Sequence, residues 1–282
     1  MKILVLGDFH GKFPAHLKKI AKAADVIFST GDFSDLDFIR KIIFKNWSDK
    51  PWYEVVGLKK AKILEKKGFD SGLKVIQQLN SLGKKVYTIW GNTDFYKRNS
   101  TPGELHPGYY DDAVKKLQNV SLIDRKKKNI HSLEVVGHGG YLDVTDFIKH
   151  PIDKDDVAGR RRLERYRREE RKLLALFEKY HPKPGFIFLI HYPAYGYFDL
   201  IQDKKNPMYQ RHVGWEPYNT IIKKYKPGVV LCGHMHEYQG KKMLGNSIIV
   251  ATGAAKDGRA VVLNVEKGMK PKIIFIKAGS KG

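Results

Sequence analysis

Apolar positions alternate between two rhythms over the first third of the chain. Residues 2–6, 25–30 and 84–90 read as strands, short runs that each end at a glycine (Gly7, Gly31, Gly91). Residues 14–23 instead repeat at helical spacing, with Leu17 and Ile20 on one face. Two or three helices are expected across residues 34–82, broken near residues 47–51 and again at residues 68–72. This alternation predicts βαβ units and a mostly parallel sheet.

The middle is less regular. Residues 120–124 and 133–136 read as short strands, and residues 153–180 as one long helix with Leu163, Tyr166, Leu173 and Phe177 on one face. Residues 185–190 and 228–232 read as buried strands flanking a helix over residues 213–225. Three more strand-like runs, at residues 247–251, 260–265 and 272–276, suggest an antiparallel meander or a second sheet. There is no internal repeat and no low-complexity linker, so residues 1–282 are expected to form one domain.

Composition changes this picture only at the surface. The net charge is +22, from 52 Lys and Arg against 30 Asp and Glu, which would attract polyanions. A Lys-rich surface of the thermophile kind accounts for the same charge equally well. Nucleic acid therefore stays open as a partner, and the sequence says nothing of oligomeric state. No apolar run approaches membrane-spanning length, so no membrane partner is expected. The first apolar run leads straight into Gly7 and Asp8, which reads as a strand rather than a secretion signal. The only cysteine is Cys232, so no intrachain disulfide can form and a cytoplasmic setting is expected.

Five segments concentrate the chemistry: Asp8-Phe9-His10, Gly31-Asp32, Gly91-Asn92-Thr93-Asp94, His191, and Gly233-His234-Met235-His236. Each follows a predicted strand, and loops after strand C-termini converge in open α/β sheets. An extended backbone would point Asp8 and His10 the same way, and His234 and His236 likewise. Carboxylate, amide and imidazole together suit Mn²⁺, Fe²⁺ or Zn²⁺ better than Ca²⁺ or Mg²⁺. Seven ligands are too many for one such ion and suit two that share a carboxylate.

The ordered set Asp-x-His, Gly-Asp, Gly-Asn-x-Asp, a lone strand-end His and Gly-His-x-His resembles the calcineurin-like metallophosphoesterase superfamily. The matching segments run from Asp8 to His236. The resemblance implies a four-layer α/β/β/α sandwich and two divalent ions, with manganese the first expectation and iron, nickel or zinc as others. It implies one ion on Asp8, His10 and His236, the other on Asn92, His191 and His234, and Asp32 bridging them. It further implies hydrolysis of a phosphoester substrate, a phosphodiester before a monoester, by a hydroxide shared between the metals. Asn92, Asp94 and His191 would serve catalysis beside them. A metal-dependent nuclease and a non-catalytic scaffold are the alternatives. One departure stands out: the superfamily usually places His where this chain has Thr93.

Residues outside the set invite simpler readings. His138 lies at a strand end and reads first as a hydrogen-bonded structural residue. His212 is equally a phosphate contact or a capping residue. Tyr195 and Asp199 follow His191 in a loop that should rim the site. The basic run of residues 159–172 is interleaved by Glu164, Glu169 and Glu170, which favours a solvated helix face over a nucleic-acid surface.

Overall fold

In the computed structural model, which describes residues 1–47, 50–97, 105–142, 157–266 and 270–277, the apolar runs pair into two six-stranded sheets. The first contains β1 (Lys2–Leu6), β2 (Val26–Ser29), β3 (Lys85–Thr88), β4 (Val120–Leu122), β11 (Ala260–Asn264) and β12 (Lys272–Ile276). Their spatial order is β12-β11-β1-β2-β3-β4. The second contains β5 (Lys126–Ile130), β6 (Leu133–His138), β7 (Ile187–Ile190), β8 (Val229–Cys232), β9 (Gly240–Leu244) and β10 (Ser247–Ala251), in the order β5-β6-β7-β8-β10-β9. Strands β1 to β4 run parallel, as do β6, β7, β8 and β10, while the outer strands of the second sheet run antiparallel to their neighbours and β11 of the first runs antiparallel to both β1 and β12.

The strand pleat sorts the side chains into three cores. On β1, Ile3 and Val5 meet the other sheet while Leu4 and Leu6 meet helices. On β8, Val229 and Leu231 face the first sheet while Val230 and Cys232 face helices. Both faces of these strands are buried, which is why their sequences are continuously apolar rather than alternating. Helices α1 (Ala15–Lys22), α4 (Leu58–Asn80) and α5 (Tyr110–Val114) cover the outside of the first sheet. Helices α6 (Val157–Tyr180) and α7 (Glu216–Tyr225) cover the outside of the second. The result is the four-layer α/β/β/α sandwich, each fully buried aliphatic side chain contributing ~1.5–3 kcal/mol.

Several expectations change. The chain does break between α2 (Asp37–Lys45) and α3 (Trp52–Val56), but α4 runs unbroken through Gly68 and Gly72. Those glycines serve close packing: a Cβ on Gly68 would collide with the Leu36 side chain, and one on Gly72 with the Tyr110 hydroxyl. The last three strands form neither a meander nor a sheet of their own. β10 inserts beside β8, whereas β11 and β12 return to the first sheet beside β1. Strands β5 and β9, which carry Lys126, Lys127, Lys128, Lys241 and Lys242, escaped the sequence reading because both lie at sheet edges, where lysine blunts pairing with other chains. The predicted helix over residues 213–225 starts at Glu216, because Trp215 is held extended by its N–H bond to the Pro193 carbonyl at 2.9 Å. Residues 153–156 of the predicted long helix lie outside the described residues.

Two predictions follow from α4. Tyr110 Oη donates to the Phe69 carbonyl at 2.8 Å and lies 2.7 Å from Ser34 Oγ, so a methyl at Gly72 has to displace a bonded hydroxyl. Gly72→Ala should therefore destabilise by about 1–3 kcal/mol in denaturant titration, although alanine favours an exposed helix. Burial pushes the Glu65 carboxyl up to about 7. Its folded value lies above its unfolded one, so the stability it allows is present at low pH and lost as pH rises through about 7. Glu65→Gln should stabilise progressively between about pH 5 and about pH 8, reaching about 3 kcal/mol, by thermal melts across that range.

Candidate metal centre

Because β1, β2 and β3 are mutually parallel, as are β6, β7 and β8, the loops after their C-termini gather at one end of the sandwich. Asp8 and His10 follow β1, Asp32 follows β2, Asn92 follows β3, His191 follows β7, and His234 and His236 follow β8. The two sheets join here directly: the His234 N–H donates to both Asp8 carboxylate oxygens, at 3.0 and 3.1 Å. A Cβ on Gly233 would sit 2.7 Å from Asp8 Oδ2, so only glycine lets the β8 loop approach that carboxylate.

The donors form two overlapping groups. Asp8, His10, Asp32 and His236 make one, and Asp32, His191 and His234 the other, with the ligating atoms of each within 4.8 Å of one another. Asn92 Oδ1 joins the second, lying 2.8 Å from both His191 Nε2 and His234 Nδ1. The seven sequence candidates are thus brought together, and Asp32 stands in both groups. The extended-backbone argument does not hold, however. Asp8 (φ 54°), His10 (φ 42°), Asp32 (φ 59°) and His234 (φ 71°) all adopt the left-handed region. Each such non-glycine residue costs about 1–3 kcal/mol, and such strain gathers at functional sites. His234 and His236, moreover, point to different groups.

The donor chemistry fits divalent ions. His10 Nε2 and His236 Nε2 lie 2.9 Å apart, so one ring must give the other a proton unless a cation takes both lone pairs. His10 Nδ1 is buried and makes no hydrogen bond. His191 Nδ1 faces the Thr30 carbonyl at 2.8 Å, which places the proton on Nδ1 and leaves Nε2 as the free donor atom. Burial, reinforced by neighbouring imidazoles, pushes His10 down to about 4 and His234 down to about 3, against the pull of Asp32 and Asp8. Burial works against the charge of Asp8, but the hydrogen bond and charge of His236, then His191 and His10, hold its carboxyl well below the usual range. Neutral rings beside an ionised carboxylate are the state in which these groups bind metal.

Thr93 and Asp94 divide the labour differently from the expected pattern. Asp94 is fully buried, and its carboxylate accepts from the N–H groups of Gly91, Asp32 and Phe33 at 2.8, 2.9 and 2.7 Å. It therefore clamps the β2 and β3 loops together. The Thr93 N–H donates to Asp32 Oδ1 at 2.9 Å, while its hydroxyl is buried and makes no hydrogen bond. A Cβ on Gly91 would strike the Asp32 carboxylate, so this loop pair tolerates no side chain there.

The remaining candidates fall outside the two groups. His138 lies among the helix-side aromatics, 2.8 Å from Tyr218 Oη and stacked on Trp215, and does not line the crevice. Asp199 is buried and bonded to His212. Glu169 of α6 binds Lys172 on its own helix at 2.6 Å and Arg125, just before β5, at 2.9 Å, so it ties the helix to the second sheet. Two residues near the site escaped the sequence reading. Asp37 Oδ1 lies 3.8 Å from His10 Nδ1, and Asp37 Oδ2 accepts from Lys256 Nζ at 2.8 Å. Lys256 comes shortly after β10, so the strand-end rule would have flagged it, but Asp37 opens a helix and carried no signal.

Comparison with known proteins agrees with this geometry. The family model described as calcineurin-like phosphoesterase matches residues 1–238. MJ1162 of Methanocaldococcus jannaschii is 25% identical over 256 residues, 89% of this chain and 87% of that protein. One solved structure aligns over 99% of both chains with a TM-score of 0.66 at 20% identity. That of TT1561 from Thermus thermophilus aligns over 98% of both, with a TM-score of 0.55 at 15% identity.

Metal analysis tests the site. Elemental analysis of protein reconstituted with Mn²⁺ should find about two ions per chain, as in other two-metal sites. Asp32→Ala should lose most of both ions because its carboxylate serves both groups, whereas His234→Ala should lose chiefly one. Retention of full metal by both variants would place the ions elsewhere.

Proposed function

Because the chain belongs to the calcineurin-like phosphoesterase family, we propose that it is a two-metal phosphodiesterase in which Asp8, His10 and His236 hold one ion, Asn92, His191 and His234 hold the other, and Asp32 bridges them. The observation that carries this reading is the pair of donor groups sharing Asp32. When bound, divalent ions supply Lewis acidity and a water acidified toward neutrality. Manganese is the first choice, since mixed carboxylate and imidazole donors suit it alongside iron and zinc.

The chain's own groups do the rest. Asp8 and Asp32 bring negative charge that offsets bound cations, and the His191–Thr30 bond fixes a ring that would otherwise rotate. In this reading Asn92 and His191 would help the bound ions hold the phosphoryl oxygens. Asp94 keeps Asn92 and Asp32 in register through its three amide bonds. Thr93 shapes specificity. Its hydroxyl is buried, and is in any case far too weak an acid to protonate an alkoxide. Monoesters of simple alcohols need that proton most, which favours diesters as substrates.

A screen of a phosphomonoester, an aryl phosphodiester, cyclic nucleotides and a polynucleotide, each with Mn²⁺, Ni²⁺, Zn²⁺ and Mg²⁺, tests the reading. The expected result is metal-dependent turnover highest on the aryl diester. Turnover confined to the polynucleotide, with steep salt dependence, would favour a nuclease instead. Thr93→His should raise kcat/KM on an alkyl monoester more than on the aryl diester, by up to about 10²-fold. Equal gains on both substrates would show that position 93 does not act on the leaving group.

A further inference from the structure

The segment joining β7 to α7 contributes more than His191. Its two ends are tied together: Ala194 bridges Trp215, whose N–H bonds to the Pro193 carbonyl. One end lies on the metal centre, with the Tyr192 ring 4.1 Å from that of His234. The middle returns to the same place, since Ile201 and Val213 pack with Met235, the residue between His234 and His236. The loop is thus fixed against both histidine-bearing turns of the second sheet.

Within it lies a dyad belonging to neither donor group. Asp199 is 1% exposed, and its Oδ2 accepts from the Gly196 and Gly214 N–H groups at 3.0 and 3.1 Å. Its Oδ1 lies 2.8 Å from His212 Nδ1. An ionised carboxylate only accepts, so the His212 proton resides on Nδ1 and the opposite ring edge, Nε2, turns away from Asp199. The His212 side chain is 41% exposed, and its ring sits 5.2 Å from that of Tyr195, itself 46% exposed. A buried acid holding an exposed imidazole by its far nitrogen is the arrangement that general acid catalysis uses. The other place for such an imidazole, beside Asn92, holds Thr93.

We propose that His212 is the proton donor to the leaving-group oxygen of a phosphodiester whose leaving alcohol lies along Tyr195, with Asp199 as its positioning residue; this rests on the phosphodiesterase reading above. Water that has lost one proton to the solvent forms the new bond to phosphorus. The bond from phosphorus to the leaving oxygen breaks, its electron pair stays on that oxygen, and the Nε2 proton of doubly protonated His212 passes to it. The products are an alcohol, a phosphomonoester and a neutral imidazole, which takes a proton back from solvent. The leaving oxygen is bonded to phosphorus, so His212 Nε2 has to meet it directly, while the body of a large alcohol such as a nucleoside can lie on the exposed Tyr195 ring and a small alkyl group cannot.

Two diesters of one nucleotide test this, one releasing p-nitrophenol and the other a nucleoside. The phenol leaves without protonation; the nucleoside alkoxide does not. His212→Ala should lower kcat/KM on the dinucleoside diester by about 10²-fold and on the p-nitrophenyl ester by no more than about threefold. His212→Gln, which can keep the bond to Asp199, should show the same selective loss, separating proton donation from support of the loop. Asp199→Asn should show a smaller loss with the same selectivity. An equal loss on both esters, no loss on either, or a wild type that cleaves only the p-nitrophenyl ester overturns the assignment of His212. A wild type inactive on both with every metal instead overturns the phosphodiesterase reading beneath it.

Discussion

The carboxylate of Asp32 is the point on which this structure turns. It is buried, stands in both donor groups, and is held from behind by the Thr93 N–H while Asp94 holds its own N–H. A charge so placed is costly without partners. Within the chain its hydrogen-bond partner is the Thr93 N–H, while the Nε2 atoms of His10 and His191 lie 3.8 and 3.6 Å from Asp32 Oδ2, leaving the charge to be met by a cation held among them. The left-handed backbone at Asp8, His10, Asp32 and His234 belongs to the same economy: local strain is accepted where it aims a donor at this carboxylate.

What sustains that strain is the apolar contact between the sheets. Asp8, His10, Asp32 and Asn92 come from loops of the first sheet, and His191, His234 and His236 from loops of the second. Neither sheet holds a complete donor set. Ile3, Val5, Val26 and Phe28 packed against Ile187, Leu189, Val229 and Leu231 thus fix the separation of the two halves. Close packing transmits small displacements rather than absorbing them, so changes in this core should be felt at the donors.

The departure at Thr93 gains meaning in this setting. The loop that bears it still works as a clamp, because Asp94 binds three backbone amides, and the threonine N–H still backs Asp32. What the loop lacks is a proton-bearing ring. The second sheet offers one at His212, oriented from beneath by a buried carboxylate. Loops can exchange such a role because a rigid scaffold brings several of them to one rim.

The seven candidate donors and the layered α/β character were legible in the sequence because both rest on local rules. Buried strands are short and apolar, and polar residues directly after them gather at one end of the sheets. Local rules could not place β10 in one sheet and β11 in the other, since both are the same apolar run to a near neighbour and only sheet-to-sheet closure chooses between them. Nor could they show that Gly68 and Gly72 continue a helix, because the reason lies in Leu36 and Tyr110, each more than thirty residues away in sequence. The bond from Asp199 to His212 and the approach of Asp37 to His10 likewise join residues with no shared motif. Sequence alone determined which chemical groups are present and at which strand ends they stand. The tertiary structure decided which of them share a carboxylate, since that is a matter of distances of a few ångströms set by packing between elements far apart along the chain.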